Sequence, residues 1–393
     1  MMFFEYILYF IIFLAFLQVL YTLYFSISSL FYKDRKLIKS DYKRKIAIFI
    51  PAYKEDKVIL KTVKNILKQK YYSNKTDKYE IIVIAQHLKW YTLKALNKLH
   101  IKYITYNVNN STKVKALQYA IKVLNKEQKK YDIALILDAD NHISENTLEN
   151  INCMFAYGYN AVQCHRTAKN LNTNIAILDA LSEEISNSII RKGCFFNNLS
   201  ASIIGSGIAL KYTIFKRFIN KSNAIAGFDK ELTCELTNKR IKIAYLNNTL
   251  IFDEKVQDKN TFKNQRSRWI EAQLKMAKKY TLKAFKNLVK YKNIDFFIKS
   301  VEHILIPKLL FLTTLMLLVL LSLFISNTIL ILTLIITILY SIALILAIPK
   351  QFINTKTFNA ILNLPLIILL MIKSSLNINQ SKKEFIHTPH NYN

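Results

Sequence analysis

The chain is poor in the residues that bend, staple and acidify a protein. Its 393 residues include five glycines, five prolines, four cysteines and two tryptophans, and 26 acidic side chains face 56 lysines and arginines. The cysteines, Cys153, Cys164, Cys194 and Cys234, show no CxxC spacing, so they read as reduced core residues of a cytoplasmic domain and not as a disulfide framework. No two histidines form a ligand pair at helical spacing, which argues against a zinc site. No internal repeat or low-complexity linker is visible. In a chain this short of glycine, the cluster Gly205, Gly207 and Gly227 stands out, and GSG at 205–207 points to backbone freedom or close approach, a plain turn being the alternative.

The shortage of acid leaves a formal net charge of +30. A basic surface can neutralise nucleic-acid phosphates, but no nucleic-acid module is recognisable. Lysine beside abundant isoleucine and asparagine is also what an AT-rich genome writes, and anionic lipid headgroups account for a basic surface next to a membrane. No nucleic-acid partner is expected.

Charge is missing altogether from Tyr6 to Tyr32, a stretch long enough to cross a bilayer core of roughly 30 Å as a helix. With no basic residue before it and no small-residue cleavage site after it, it reads as a retained anchor over 1–32 and not as a secretory signal. Two further apolar runs, Leu309 to Ile325 and Ile329 to Ile348, predict a transmembrane hairpin over 304–349. The run Ala360 to Ile372, interrupted by Asn363 and Pro365, reads as an interfacial or re-entrant segment within 350–393. Seven basic and two acidic residues between Lys33 and Lys45 put the following domain on the cytoplasmic side, and a tail with Lys373, Lys382 and Lys383 returns there. The expected location is a bacterial inner membrane. Between domain and hairpin, 270–303 places Leu274, Ala277, Leu282, Phe285, Leu288 and Val289 among lysines, the pattern of an amphipathic segment lying on the inner leaflet.

The intervening 33–269 alternates short β-rich runs (46–50, 80–85, 101–106, 133–137 and 160–165) with helical periodicities over Asp56 to Lys70 and Lys113 to Leu124. That order predicts a doubly wound, mostly parallel α/β sheet covered by helices on both faces. Ligands of such sheets bind beyond the carboxyl ends of the strands. Pro51 to Tyr53, Ala85 to His87 and Asp138 to Asp140 all fall at such ends and converge on one crevice.

Asp138 and Asp140 repel each other unless a cation or a donor-rich ligand compensates. Hard oxygen ligands favour Mg²⁺ or Mn²⁺, although DAD followed by Ser144 as an N-cap is also compatible with a simple strand-to-helix turn. At the start of a later helical segment, NQRSRW (264–269) combines arginine forks suited to phosphate oxygens with an indole face, where a basic helix at the membrane surface is the rival reading.

PAYKED (51–56), KVKAL (113–117), DAD (138–140), GSG (205–207), GFDKEL (227–232) and QRSRW (265–269) occur in the order seen in membrane-bound family-two glycosyltransferases. Over about 45–280 the chain resembles the cellulose, hyaluronan and poly-N-acetylglucosamine synthases. The resemblance implies a GT-A fold that uses a nucleotide sugar, in the first instance a UDP-sugar, and a Mg²⁺ or Mn²⁺ ion, with inversion at the anomeric carbon. By position it implies Ala52, Tyr53, Glu55, Gln86, Lys113 and Asp138 at the nucleotide, Asp140 with Asp138 at the metal, and Asp229 as catalytic base. Gly205, Ser206, Gly207, Gln265, Arg266, Arg268 and Trp269 fall at the diphosphate and acceptor.

Two positions depart from the family pattern. Phe228 replaces the first member of an acidic pair whose second is the base, and Gln86 stands where an aspartate commonly contacts the nucleotide base. The expected acceptor is a membrane-associated glycan or lipid-linked sugar, in cell-surface polysaccharide or glycolipid synthesis, and the expected partners are membrane lipids and either further copies of the chain or polysaccharide-synthesis proteins. The alternatives are a processive synthase of a linear polymer and a non-catalytic membrane scaffold with the same fold. A transporter is disfavoured because the apolar runs carry no buried charge.

Overall fold

The computed structural model describes residues 2–34, 36–73, 76–109 and 111–376. Lys382 and Lys383 of the tail lie outside the described residues. After a long apolar helix, α1 (Met2–Phe31), the sheet domain opens with β1 (Ile46–Tyr53), α2 (Ile59–Ile66), β2 (Tyr79–Gln86), α3 (Trp90–Lys98), β3 (Lys102–Thr105) and α4 (Lys113–Lys126). It continues with β4 (Ile133–Ile136), β5 (His142–Ile143), α5 (Thr147–Ala156), β6 (Ala161–Ala168) and α6 (Asn174–Ser186), which runs on into a π-helix over Asn187–Gly193. Then come β7 (Ile208–Lys211), α7 (Tyr212–Lys221), α8 (Phe228–Asn238), β8 (Ile243–Asp253) and the long α9 (Lys259–Tyr291).

The strands read as near-continuous apolar runs because both sheet faces are covered. Ile46, Ile48 and Ile50 pack with Ile59, Val63 and Ile66 of α2 on one face. Ala47 and Phe49 meet Val114, Leu117 and Ile121 of α4 on the other. The eight strands lie in the order β3-β2-β1-β4-β7-β6-β8-β5.

The sheet is mixed: six strands (β3, β2, β1, β4, β6 and β8) run in one direction, in line with the mostly parallel expectation, and two run against them. β3, β2, β1 and β4 are parallel neighbours, but β7 inserts antiparallel between β4 and β6, and β5 pairs antiparallel at the edge. After a connection from β6 that includes α6 and the π-helix, the chain enters β7 from the GSG loop at the carboxyl end of β4 and runs back along that strand. In consequence Ile208, the first residue of β7, pairs with Ile136, the last of β4. GSG thereby comes to lie beside DAD.

Two smaller expectations change. Helix α5 starts at Thr147, and Ser144 does not cap it; its Oγ accepts the Leu250 N–H at 3.0 Å while its carbonyl accepts the Thr147 hydroxyl at 2.7 Å. QRSRW does not open a helix, since α9 begins six residues earlier, capped by Asp258, which accepts the Thr261 N–H at 2.8 Å.

Beyond α9 lie α10 (Ile294–Val301), α11 (Lys308–Ser322), α12 (Asn327–Leu346), α13 (Thr355–Ile361) and α14 (Leu364–Leu376). Among the described residues, Glu5–Phe31 and Asn327–Leu346 are long and apolar enough to cross a membrane. Helix α11 stops at Ser322 and is shorter than the run Leu309 to Ile325 suggested; α13 and α14 form a pair bent by 52°. Apolar residues of α1, α11 and α12 pack together, with Val19, Leu315 and Tyr340 at the centre.

Candidate active site

The chain leaves β4 through a tight turn that is organised by a residue sequence reasoning missed. Asn141 Oδ1 accepts the Asp138 N–H at 3.0 Å and the Ser206 hydroxyl, and Asn141 Nδ2 donates to Asp140 Oδ1 at 3.3 Å and to Asp253 Oδ1 at 3.1 Å. One amide thus ties DAD, GSG and the exit of β8 together. Its position directly after DAD was the available signal.

The two acids sit in different environments. Asp140 is 1% exposed, and its Oδ2 accepts the Glu254 N–H at 2.8 Å. The Asp138 side chain is 32% exposed and ion-pairs with Lys113. Behind them, burial would push the Asp253 carboxyl up, but Arg166 and Lys255 hold it below the usual carboxylate range.

Lys113 opens α4 and does two things. Besides its pair with Asp138, its Nζ donates to the Gly205 carbonyl at 2.8 Å. The Gly205 N–H in turn donates to Asp229 Oδ2 at 3.3 Å. Asp138, Lys113, Gly205 and Asp229 therefore form one connected row. Phe228 is not an empty substitution: Lys113 Nζ lies 5.4 Å from its ring centroid, a cation–π distance.

Gln163, a second residue missed in sequence, holds the loop from below. Fully buried, it donates to the Ser206 carbonyl at 2.9 Å and accepts the Ile204 N–H at 3.0 Å. Gly207 has φ +67, and a Cβ there would come within 2.8 Å of Ile251 Cγ1, so close approach as well as conformation demands glycine.

At the nucleotide end, Pro51 to Tyr53 and Gln86 close the paired strands β1 and β2, with Tyr53 opposite Gln86. The Tyr53 ring stands edge-on to His87 at 5.6 Å. Ala52 and Glu55 are buried. Gln86 is 4% exposed, and its Nε2 has no acceptor among the described residues.

Helices α8 and α9 are clamped together. Glu231 pairs with Lys279 at 2.6 Å, and Tyr280 donates to Glu235 at 2.8 Å. At the top of α8, Gly227 (φ +72) faces Ala272, where a Cβ would stand 2.7 Å from the alanine Cβ. Gly227→Ala is expected to destabilise the protein by about 1–3 kcal/mol, from left-handed strain and overpacking. Adding Ala272→Gly should recover only the packing part, as thermal melts of the single and double variants would show.

The QRSRW residues divide between two faces of α9. Gln265 and Arg268 share the face of Ala272, which meets α8, by their i, i+3, i+7 spacing. Arg266 and Trp269 lie on the face of Phe262 and Gln273, toward α6 and the apolar helices. Arg266 pairs with Asp179 of α6, and its Cζ lies 4.5 Å from the Trp269 ring centroid. Sequence proximity had put all four at one place; the helical period separates them.

Among the described residues no group of three His, Cys, Asp or Glu side chains converges as a metal cage. A Mg²⁺ or Mn²⁺ ion that shares substrate phosphates needs only one or two protein carboxylates. The partly exposed Asp138 and the adjacent Asp140 supply hard carboxylate oxygens of the kind such an ion takes.

The sequence profile of glycosyltransferase-like family 2 matches residues 43–272. No curated protein sequence matches the chain. Among solved structures, the fold is similar to that of the mannosyltransferase PcManGT from Pyrobaculum calidifontis, determined in complex with GDP-Man and Mn2+. The two share 14% identity and a TM-score of 0.58, over 94% of this chain and 96% of that one. TarS 1-349 from S. aureus is also 14% identical, with a TM-score of 0.42 over 86% and 90% of the two chains. Structure and profile agree on a GT-A-like mixed α/β sheet, and the chain belongs to glycosyltransferase family 2.

Proposed function

We propose that the protein transfers a sugar, with inversion, from a nucleotide-sugar donor to a membrane-associated acceptor, a lipid-linked sugar or glycan. The observation that carries this reading is the connected row from Asp138 through Lys113 and the Gly205 peptide to Asp229. It links a nucleotide-side carboxylate to an acceptor-side carboxylate across the carboxyl ends of β1 and β4.

In this reading Asp229 takes the proton from the acceptor hydroxyl as that oxygen attacks the anomeric carbon. The Gly205 N–H orients the carboxylate. Arg268 and Lys113 neutralise the departing diphosphate, fixed charges in a site shaped before the reaction starts. When bound, Mg²⁺ or Mn²⁺ supplies Lewis-acid neutralisation of the same phosphates, and Asp138 and Asp140 are the residues that would hold it. Tyr53 and Gln86 bind the nucleoside, and the unpartnered Gln86 amide asks for an acceptor atom on the base.

The membrane setting is supported by the apolar helices and by α9, whose outer side exposes Leu274, Leu282, Phe285 and Val289 between lysines. An exposed apolar and basic stripe suits an anionic lipid surface. Two helices of spanning length and apolarity among the described residues, or three with the bent pair, favour single transfers over extrusion of a polymer.

The test is nucleoside-diphosphate release by detergent-purified protein with Mn²⁺ or Mg²⁺ across UDP-, GDP- and dTDP-sugars. Release from one donor, lost in Asp140→Asn, is expected. Silence across the panel with membrane lipids present would favour the scaffold alternative.

A further inference from the structure

The chain that leads into GSG is not part of the sheet. Residues 200–204 carry neither helix nor strand structure, and β7 begins only at Ile208. Their backbone amides still need acceptors. Ala201 and Ser202 donate to the carbonyls of Ile243 and Ile190, and the rest find side chains. Ser200 N–H donates to Asp295 Oδ1 of α10 at 2.8 Å, Ile203 N–H to Thr233 Oγ1 at 3.0 Å, Ile204 N–H to Gln163 Oε1 at 3.0 Å and Gly205 N–H to Asp229 Oδ2 at 3.3 Å. Arg191 Nε donates to the Ser202 carbonyl at 2.9 Å. The segment is a strap whose register is set by side chains of the surrounding elements.

Two of these bonds go to one helix. Asp229 and Thr233 stand one turn apart on α8, and they receive Gly205 and Ile203, two residues apart on the strap, in antiparallel order. Four residues of helix rise about 6 Å, and two residues of chain span at most about 7 Å, so both rungs close only on a nearly extended strap. The Thr233 hydroxyl has its two roles fixed by its partners. It accepts from the Ile203 N–H, which can only donate, and donates to the Asp229 carbonyl at 2.9 Å, which can only accept. Thr233 is 2% exposed, and the Ile203 side chain belongs to the apolar cluster that holds Phe228 and Leu232 of α8.

We infer that Thr233 is a positioning residue for the catalytic base: by fixing Ile203 against α8, it sets where the Gly205 N–H meets the Asp229 carboxylate. The inference rests on the assignment of Asp229 as base above. The rung that Thr233 protects is the weak one. At 3.3 Å the contact between Gly205 and Asp229 is already at the long end of the N–H···O range, and Gly205 is held from its other side by Lys113, which donates to its carbonyl. Without the Thr233 rung the strap loses its second hold on α8, and a slide of about 0.5 Å parts Gly205 from Asp229. A misplacement of about 1 Å can cost about 10²-fold in rate when a catalytic group must be aligned on its substrate. Thr233 is buried on α8 one turn beyond the base, and its effect passes through Asp229.

The experiment is a double-mutant cycle in the full chain in detergent, with steady-state kinetics in which donor and acceptor are varied separately. Thr233→Val keeps the shape and removes the hydroxyl: kcat is expected to fall about tenfold with the donor KM within about twofold of wild type. Thr233→Ser keeps both bonds and should restore kcat. Thr233→Cys, a weaker acceptor that leaves no large void, should fall between the two and serves the same test if the valine variant does not fold. In the Asp229→Asn background, Thr233→Val should cost nothing further, because no base is left to position. Hydrogen exchange over 200–207 should quicken at Ile203 and Gly205 in Thr233→Val and stay at the wild-type rate in Thr233→Ser. An equal loss in both backgrounds would give Thr233 a role in the fold alone and overturn the inference, as would unchanged exchange at Gly205 or a serine variant no more active than the valine one. A large Asp229→Asn loss beside undiminished Thr233→Val turnover overturns the inference and leaves the base in place; Asp229→Asn within about threefold of wild type removes the base, and the inference with it.

Discussion

Asp229→Asn is expected to lower sugar transfer by about 10²–10⁴-fold, the usual contribution of a general base. The amide oxygen can still accept the Gly205 N–H, so the row of contacts that orients the side chain survives. An amide cannot take up the acceptor proton. Because Asp229 sits on α8 and the donor residues on β1, β2 and α4, donor affinity should stay near wild type while kcat falls. That split marks loss of an interaction made in the transition state. Steady-state kinetics with donor and acceptor varied separately would check it, with circular dichroism for the fold. Activity within about threefold of wild type would remove Asp229 from the mechanism.

Asp140→Asn is expected to cost about 10²–10³-fold, the range for removal of one fixed electrostatic contact in a water-poor site. Its surroundings add a structural component that Asp229 lacks. The buried carboxylate accepts from both the Glu254 N–H and Asn141 Nδ2. An amide can satisfy one of these donors but turns its own NH₂ toward the other. A fall of a few degrees in melting temperature is therefore expected beside the catalytic loss. The readout that isolates the electrostatic part is Mn²⁺: wild-type protein with nucleoside diphosphate should gain thermal stability on adding the ion, and the variant should not. An undiminished Mn²⁺ shift in the variant would move the metal to Asp138 alone.

Much of the architecture was legible in one dimension because its signals are local. The apolar runs at 46–50, 80–85 and 133–137 became β1, β2 and β4, and the apolar spacing of Lys113 to Leu124 became the buried face of α4. Cys153, Cys164, Cys194 and Cys234 are all free and buried, as their scatter suggested. The length of α1 likewise follows from the uncharged run that begins at Tyr6.

What failed in sequence depended on partners far along the chain. The antiparallel direction of β7 has no periodic signature, yet it decides that GSG lies beside DAD. Nothing in the sequence relates Lys113 to the Gly205 carbonyl 92 residues away. QRSRW looked like one cluster because its residues adjoin, whereas a helix turns by about 100° per residue and sends Arg266 and Arg268 to different neighbours. Asn141 and Gln163 passed unnoticed because a buried amide acquires meaning only from the groups it bridges. By itself, then, the sequence determined which segments are strands, helices and apolar runs, since period and composition act over a few residues. The tertiary structure alone decided which carboxylates, cations and peptide groups share a site, since strand direction and helix face set distances between residues that the chain keeps apart.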